Sequence, residues 1–224
     1  MLVLGSTGSI GRQTLAVIDH LNALHEQGRF ATRYEVVGLA CGSGAEALSR
    51  QAETHGVTRV AVADERAALN AGTVFRGPDA AERLVRETEA DLVVSAIVGS
   101  AGLPATLAAV ELGRDVALAN KESLVAAGCL VVPAARRSGS RLLPIDSEHA
   151  AIWQCLQTAA DAPLCPPCDP GPIARVVLTA SGGPFRGRSA EQVYDATPEQ
   201  ALDHPTWSMG PKVTIDSATL MNKA

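Results

Sequence analysis

Several short segments of this 224-residue sequence carry residue types that could do chemistry. Gly5-Ser-Thr-Gly-Ser-Ile-Gly11 has glycines spaced as GxxGxxG. In a strand-to-helix turn they would permit close backbone approach, and the helix N-terminus would attract a pyrophosphate. The same glycines would equally serve a tight turn that needs them for conformation alone. Asp146-Ser147-Glu148 offers two hard oxygen donors that suit Mg²⁺ or Mn²⁺ better than zinc; on spacing alone, helix capping by Asp146 or Ser147 is the favoured reading. Ser181-Gly182-Gly183 reads as a phosphate cradle or a plain turn, with nothing in the segment to separate them. His204-Pro205 offers a general acid or an ordinary solvated histidine. Asp216-Ser217-Ala218-Thr219 reads as a capped helix start, and with Asn222-Lys223 it contains the donors a phosphate monoester needs.

These residues have to be positioned by regular elements. Met1 to Leu4 reads as a short strand, and the apolar spacing of Ile10, Leu15, Val17, Ile18 and Leu21 reads as a helix. Strands are predicted at Tyr34 to Ala40, Arg59 to Ala63, Asp91 to Ser95 and Asp115 to Leu118. Helices are predicted at Ala45 to His55, Ala80 to Glu89, Leu103 to Leu112 and Lys121 to Val132. Alternating strands and helices with right-handed crossovers predict an α/β fold, a Rossmann-like doubly wound parallel sheet. At the end of the second strand, where an NAD site usually carries an acid for the ribose hydroxyls, the sequence reads Ala40-Cys41-Gly42-Ser43. Lack of a carboxylate leans toward NADP, although no Arg or Lys stands there to hold a 2′-phosphate.

The helical pattern stops in a basic turn around Arg136 to Leu143, and beyond Pro144 loops lengthen and prolines and both tryptophans gather. A domain boundary is placed there, with residues 1–141 as a nucleotide-binding domain and 142–224 as a second, α+β domain. The second part is predicted to have a helix at Ala150 to Leu156, strands at Ala174 to Leu178 and Lys212 to Ile215, and a binding loop between Ser181 and Gly210.

Composition narrows the function classes. Aromatics are 3% of residues against 46% hydrophobic, so the core is built from Ala, Val, Leu and Ile. A net charge of −5 gives no footprint for nucleic acid, and the longest apolar run is broken by Gly128 and Pro133, so no membrane partner is expected. Scattered Cys41, Cys129 and Cys155, and no visible leader, predict a cytoplasmic protein. The lone CxxC at Cys165 and Cys168 lacks a second pair for zinc and reads as a loop.

Taken together, GSTGSIGRQTL (Gly5 to Leu15), ALANKESLV (Ala117 to Val125), PIDSEHAAIWQ (Pro144 to Gln154), LTASGGPFR (Leu178 to Arg186) and HPTWSMGPKVTIDSATLMNK (His204 to Lys223) closely resemble the 1-deoxy-D-xylulose 5-phosphate reductoisomerase family. The resemblance implies an enzyme of non-mevalonate isoprenoid biosynthesis that makes 2-C-methyl-D-erythritol 4-phosphate. It would use NADPH and Mn²⁺ or Mg²⁺ (or Co²⁺), and would act as a homodimer on a sugar-phosphate substrate. It implies cofactor contacts at Thr7, Gly8, Ser9, Ile10, Asn120, Glu122 and Gly210, and metal ligands at Asp146 and Glu148. Lys121 and Ser147 would meet the substrate, and Ser181, Ser217, Asn222 and Lys223 its phosphate. His204 and Trp207 would belong to a loop that closes over it. Two departures stand out: Ser43-Gly44 replaces the Lys or Asn that many members use at the 2′-phosphate, and the family continues past Asn222-Lys223 into a glutamate metal ligand and a helical domain. The chain is therefore expected to be C-terminally truncated, with impaired activity. The alternative is a non-catalytic dinucleotide-binding module.

Overall fold

Leu2, Val3 and Leu4 are all fully buried, which is possible only for a strand covered on both faces. The computed structural model shows this arrangement and describes residues 1–69, 71–157, 174–180, 182–208 and 210–223. In chain order, the first unit contains β1 (Leu2–Leu4), α1 (Ser9–Glu26), β2 (Gly38–Cys41), α2 (Ala45–Thr54), β3 (Arg59–Val62), β4 (Thr73–Arg76), α3 (Ala80–Glu87), β5 (Leu92–Ser95), α4 (Leu103–Glu111), β6 (Asp115–Leu118), α5 (Glu122–Ser138), β7 (Leu142–Pro144) and α6 (Ser147–Gln157). Among the described residues seven strands form one sheet in the order β4-β3-β2-β1-β5-β6-β7, and every pairing is parallel. The expected doubly wound parallel sheet is what the chain forms.

The side-chain alternation of β1 divides the core. Leu2 and Leu4 pack with Leu84, Val85, Val116 and the alanines of α4 and α5 on one face. Val3 packs with Leu15, Ile18, Leu39 and Leu48 on the other. Burying each Leu is worth about 1.5–3 kcal/mol, so the two largely aliphatic layers, with Phe75 the aromatic member of the first, fix the strand register. The chain runs outward from β1 to β4 and returns to β5 on the other side of β1. The topological switch, and with it the ligand crevice of such sheets, lies between β1 and β5.

Two strands escape the sequence pattern. β4 is an edge strand with only Phe75 buried, and β7 is a three-residue edge strand ending in Pro144. Leu142, Leu143 and Pro144 pair with Val116, Ala117 and Leu118, so they belong to the first sheet. The helix expected at Lys121 to Val132 runs on to Ser138, with a kink at Ala127, and ends where Gly139 adopts φ +78°.

Packing divides the chain into Met1–Asp169 and Pro170–Ala224. The second unit contains α7 (Ala190–Tyr194), α8 (Pro198–Leu202), α9 (Pro211–Thr219) and a 3₁₀ turn at Met221–Lys223. Here the strand expectations fail. Ala174 to Leu178 has no ladder among the described residues, and Val176 and Val177 are exposed. Lys212 to Ile215 is helical: Pro211 fixes the first turn, and the buried face consists of Thr214 and Ser217, a helical spacing carried by hydroxyls that an apolar pattern does not register. Asp216 to Thr219 is accordingly the end of a helix, not its start. The segment between Ser181 and Gly210 contains two short helices opened by capping boxes at Ser189 and Thr197.

Candidate functional site

The residues after β1 form a backbone cradle. Gly5 adopts φ +79°, and a Cβ there would overlap the carbonyl of Ala96 beyond β5. A Cβ on Gly11 would overlap Gly5 and Ser6, so the first turn of α1 can lie against the loop only with glycine. Gly8 precedes the helix without a side-chain cap, which leaves the N-terminal amides of α1 unclaimed by any cap side chain. The Ser6 hydroxyl is buried without a partner among the described residues. Gly8, Ser9 and Ile10 are exposed at the mouth of this turn and Thr7 is half-buried. An anion meeting backbone amides and a helix dipole suits this arrangement.

Sequence reasoning missed the groups that hold the cradle. Arg12 donates to the Thr7 carbonyl at 2.7 Å, and Gln51 of α2 donates to the Ser6 carbonyl at 2.9 Å. Cys41 bonds the Thr7 side chain and the Gly44 backbone, while its burial pushes the thiol pKa up. A Cβ on Gly44 would stand 3.2 Å from Thr7 Oγ1. The position where an NAD site would hold an acid is thus packed against the loop after β1. Only the Arg12 position carried a local signal, a cation in the first helical turn where the dipole disfavours it.

Asn120 and Lys121 follow β6 after Ala119. Asn120 is 2% exposed. Its Nδ2 donates to the Gly99 carbonyl at 2.8 Å and also to the Ile97 carbonyl. Its Oδ1 accepts from the Ser123 amide at 2.9 Å and from the Ser123 hydroxyl. A Cβ on Gly102 would come within 2.9 Å of Asn120 Nδ2. The side chain therefore ties the loop after β5 to the start of α5. What it offers a cofactor is the shape of that loop. Ser123, buried in the same cluster, was invisible in the sequence, where it is one hydroxyl in an apolar helix.

Because β6 and β7 are paired neighbours, Lys121 and Asp146 emerge side by side. Lys121 Nζ lies 2.6 Å from Asp146 Oδ2, with both side chains mostly buried. His149, one turn into α6, has Nδ1 at 3.7 Å from the same oxygen. Ser147 Oγ donates to Glu148 Oε2 at 3.0 Å, and Glu122, in the first turn of α5, is half-buried. Asp146 already faces a cation, and Glu148 supplies a second carboxylate two residues on. This oxygen donor set fits a hard divalent ion that keeps part of its water shell. No cluster of three or more His, Cys, Asp or Glu stands ready among the described residues.

In the second unit, Gly183 adopts φ +61°, and a Cβ there would lie 2.6 Å from the Ser217 carbonyl, so the Gly182-Gly183 turn packs on the end of α9. Ser217 is buried, and Asn222 and Lys223 follow in the 3₁₀ turn. Because this is a helix C-terminus, the dipole is negative there, and any phosphate would depend on Lys223 and the side-chain donors. Ser181, Cys165 and Cys168 lie outside the described residues. Gly210 precedes α9, and its carbonyl accepts from Thr214 N and Oγ1, both at 3.0 Å. His204 Nδ1 accepts from the amides of Thr206 at 3.1 Å and Trp207 at 2.9 Å. That turn and Thr214 line a pocket of about 350 Å³, and Trp207 is 62% exposed.

Comparison with known proteins bears on the family and the fold. Residues 1–128 match the family model described as 1-deoxy-D-xylulose 5-phosphate reductoisomerase, and residues 142–224 match the one for its C-terminal domain. Among curated relatives, the 1-deoxy-D-xylulose 5-phosphate reductoisomerase of Mycobacterium marinum is 53% identical over all of this chain and 51% of its own length. That of Mycobacterium avium is 53% identical over all of this chain and 50% of its length. A crystal structure of DOX-P reductoisomerase in complex with NADPH, fosmidomycin and magnesium superposes with TM-score 0.82 at 40% identity, covering 99% of this chain and 55% of that one. The Zymomonas mobilis enzyme in complex with NADPH gives 0.77 at 38%, covering 99% and 54%. The chain spans about half the length of the relatives it matches. No helix among the described residues is long and apolar enough to cross a membrane. With a family model covering more than half of its residues, the chain belongs to the 1-deoxy-D-xylulose 5-phosphate reductoisomerase family.

Proposed function

We propose that this chain takes part in converting 1-deoxy-D-xylulose 5-phosphate to 2-C-methyl-D-erythritol 4-phosphate with NADPH and Mg²⁺ or Mn²⁺. The observation that carries this reading is the convergence of Lys121 and Asp146 beyond adjacent strand ends, with Glu148 two residues on, in a sheet whose β1 loop is an anion cradle. A purely dinucleotide-binding module would have no use for that convergence. Residues 1–141 would serve the cofactor and residues from 142 onward the catalysis, a division of labour distinct from the division of packing. Cytoplasmic location and a homodimer belong to the same proposal.

In this reading, the amides of Gly8, Ser9 and Ile10 and the Thr7 side chain hold the pyrophosphate, with Asn120 shaping the nearby loop and Glu122 and Gly210 as further contacts. Asp146 and Glu148 hold the metal. When bound, the ion would act as a Lewis acid on the substrate's ketone and neighbouring hydroxyl, and NADPH would supply hydride. Lys121 holds its amine 2.6 Å from Asp146 Oδ2, where it can donate to a substrate hydroxyl and stabilise negative charge on that oxygen. Ser147 contacts the same end of the substrate. Ser181, Ser217, Asn222 and Lys223 anchor the phosphate, far from the reacting carbons, so that binding energy there keeps the reactive end in register. His204 and Trp207 cover the ligand and exclude water.

Asp146→Asn tests the assignment by calorimetric titration of the chain with Mg²⁺ and, separately, with NADPH. Metal affinity is expected to fall by about tenfold or more, the scale at which even outer-shell changes act, with NADPH affinity unchanged. Unaltered Mg²⁺ binding in the variant would remove Asp146 from the metal site and the proposal with it.

A further inference from the structure

We infer that His204 is held as the neutral tautomer protonated on Nε2, so that it serves its ligand as a hydrogen-bond donor and not as a base. The argument starts from the two hydrogen bonds at Nδ1. A backbone amide can only donate, and Nδ1 receives two of them, from Thr206 at 3.1 Å and Trp207 at 2.9 Å. Nδ1 therefore carries the lone pair, and the ring proton of a neutral imidazole must sit on Nε2. The intervening residue, Pro205, has no amide to contribute, so the bonds skip to the next two residues and fold the turn back onto the ring.

The imidazole thus does two jobs with two atoms. Nδ1 builds the turn that presents Trp207 at the pocket shared with Thr214 of α9, and Nε2–H is the polar group left for a ligand. An N–H donor suits an oxygen acceptor, the phosphate or hydroxyl oxygen of a sugar phosphate, and cannot take a proton from one. This rests on the proposed function for the ligand's identity, but the tautomer itself does not depend on it.

Imidazole-¹⁵N labelling of the chain, read by long-range ¹H–¹⁵N correlation at neutral pH, tests the tautomer directly. His204 is identified by the signal that disappears in His204→Asn. An unprotonated Nδ1 with a protonated Nε2 is expected, and the reverse pattern would overturn the inference. Two variants then separate the two atoms. In His204→Asn the side-chain oxygen can replace Nδ1 as acceptor but no donor reaches the Nε2 position. The amide signals of Thr206 and Trp207 should stay as in the parent, while affinity for 1-deoxy-D-xylulose 5-phosphate falls by about tenfold, the loss of roughly one hydrogen bond to a charged group. His204→Gln places its amide near the Nε2 position without the Nδ1 acceptor, so the turn amides should shift while more of the affinity survives than in the Asn variant. If the Asn variant keeps full affinity, the donor role is wrong. If neither the parent nor either variant binds the sugar phosphate while the tautomer is as expected, the proposed function fails and the tautomer stands.

Discussion

Replacing Asn120 by Asp changes one atom type at nearly constant volume, and the structure dictates what that change does. The Nδ2 group donates to the carbonyls of Ile97 and Gly99, while Oδ1 accepts twice from Ser123. Asp keeps the second pair and turns the first into a carboxylate oxygen facing two carbonyl oxygens at a position 2% exposed. The part-buried Ile97 and Gly99 carbonyls lose this donor, and two hydrogen bonds at about 1 kcal/mol or more each give an expected cost of about 2–3 kcal/mol at neutral pH. That is a large part of the 5–15 kcal/mol typical of a folded domain. The charge adds a signature. Burial among carbonyls raises the new carboxyl's pKa in the folded state, so the charge's share of the deficit should shrink as pH falls through that raised value toward the ordinary carboxylate pKa, below which both states bind the proton and the deficit levels off. Urea unfolding followed by far-ultraviolet circular dichroism at neutral and mildly acid pH measures both quantities. A neutral-pH loss under about 1 kcal/mol, or a loss indifferent to pH, would show that Asn120 does not clamp the loop.

Gly11→Ala should cripple the phosphate cradle, because its Cβ would overlap Gly5 and Ser6 backbone atoms that cannot move aside cheaply. NADPH affinity measured by fluorescence should drop by more than tenfold, about 1.4 kcal/mol or more, whereas Gly42→Ala, which meets nothing within 4 Å, should leave it unchanged. At the other end of the sheet, hydrogen bonding to Arg141 holds the Asp115 carboxyl below its ordinary pKa. The stability this contributes is complete above the unfolded carboxylate pKa and is lost as pH falls through the lower, folded value. Asp115→Asn should therefore cost about 0.5–1 kcal/mol near neutrality, the range of an exposed ion pair, and nothing once both states are protonated. Paired urea melts across acid pH check the sign.

The sheet was legible because β1, β2, β3, β5 and β6 are buried on both faces and read as short continuous apolar runs rich in Val, Leu and Ala. β4 and β7 were not, since each of these edge strands buries a single residue and leaves no apolar run to read. α9 misled for a related reason: Val213 and Ile215 look like a strand, yet Val213 is exposed and the contacts are made by Thr214 and Ser217. In the candidate site, the residue types of Lys121, Asp146 and Glu148 were evident. The proximity of Lys121 to Asp146 was not, because it follows from β6 pairing with β7. The partners of the loop, Arg12, Gln51, Ser123 and Cys41, are tertiary choices with no local pattern to announce them.

Asp146 and Glu148 hang from the last rung of the sheet. β7 touches its neighbour through three residue pairs and ends at Pro144, with the Arg141–Asp115 pair closing the far end. Strands at a sheet's margin open at far lower free energy than its centre. Asp146, for which a metal-binding role is proposed, can therefore separate from Lys121 by local fraying of β7 while β1, β2, β3 and β5 remain closed. Amide hydrogen exchange would record this as fast exchange at Ile145, whose amide bonds the Leu118 carbonyl at 3.1 Å, set against slow exchange in β1. Ligand binding at the carboxylates would then be felt first as slower exchange at this margin, long before it altered the global stability of the sheet.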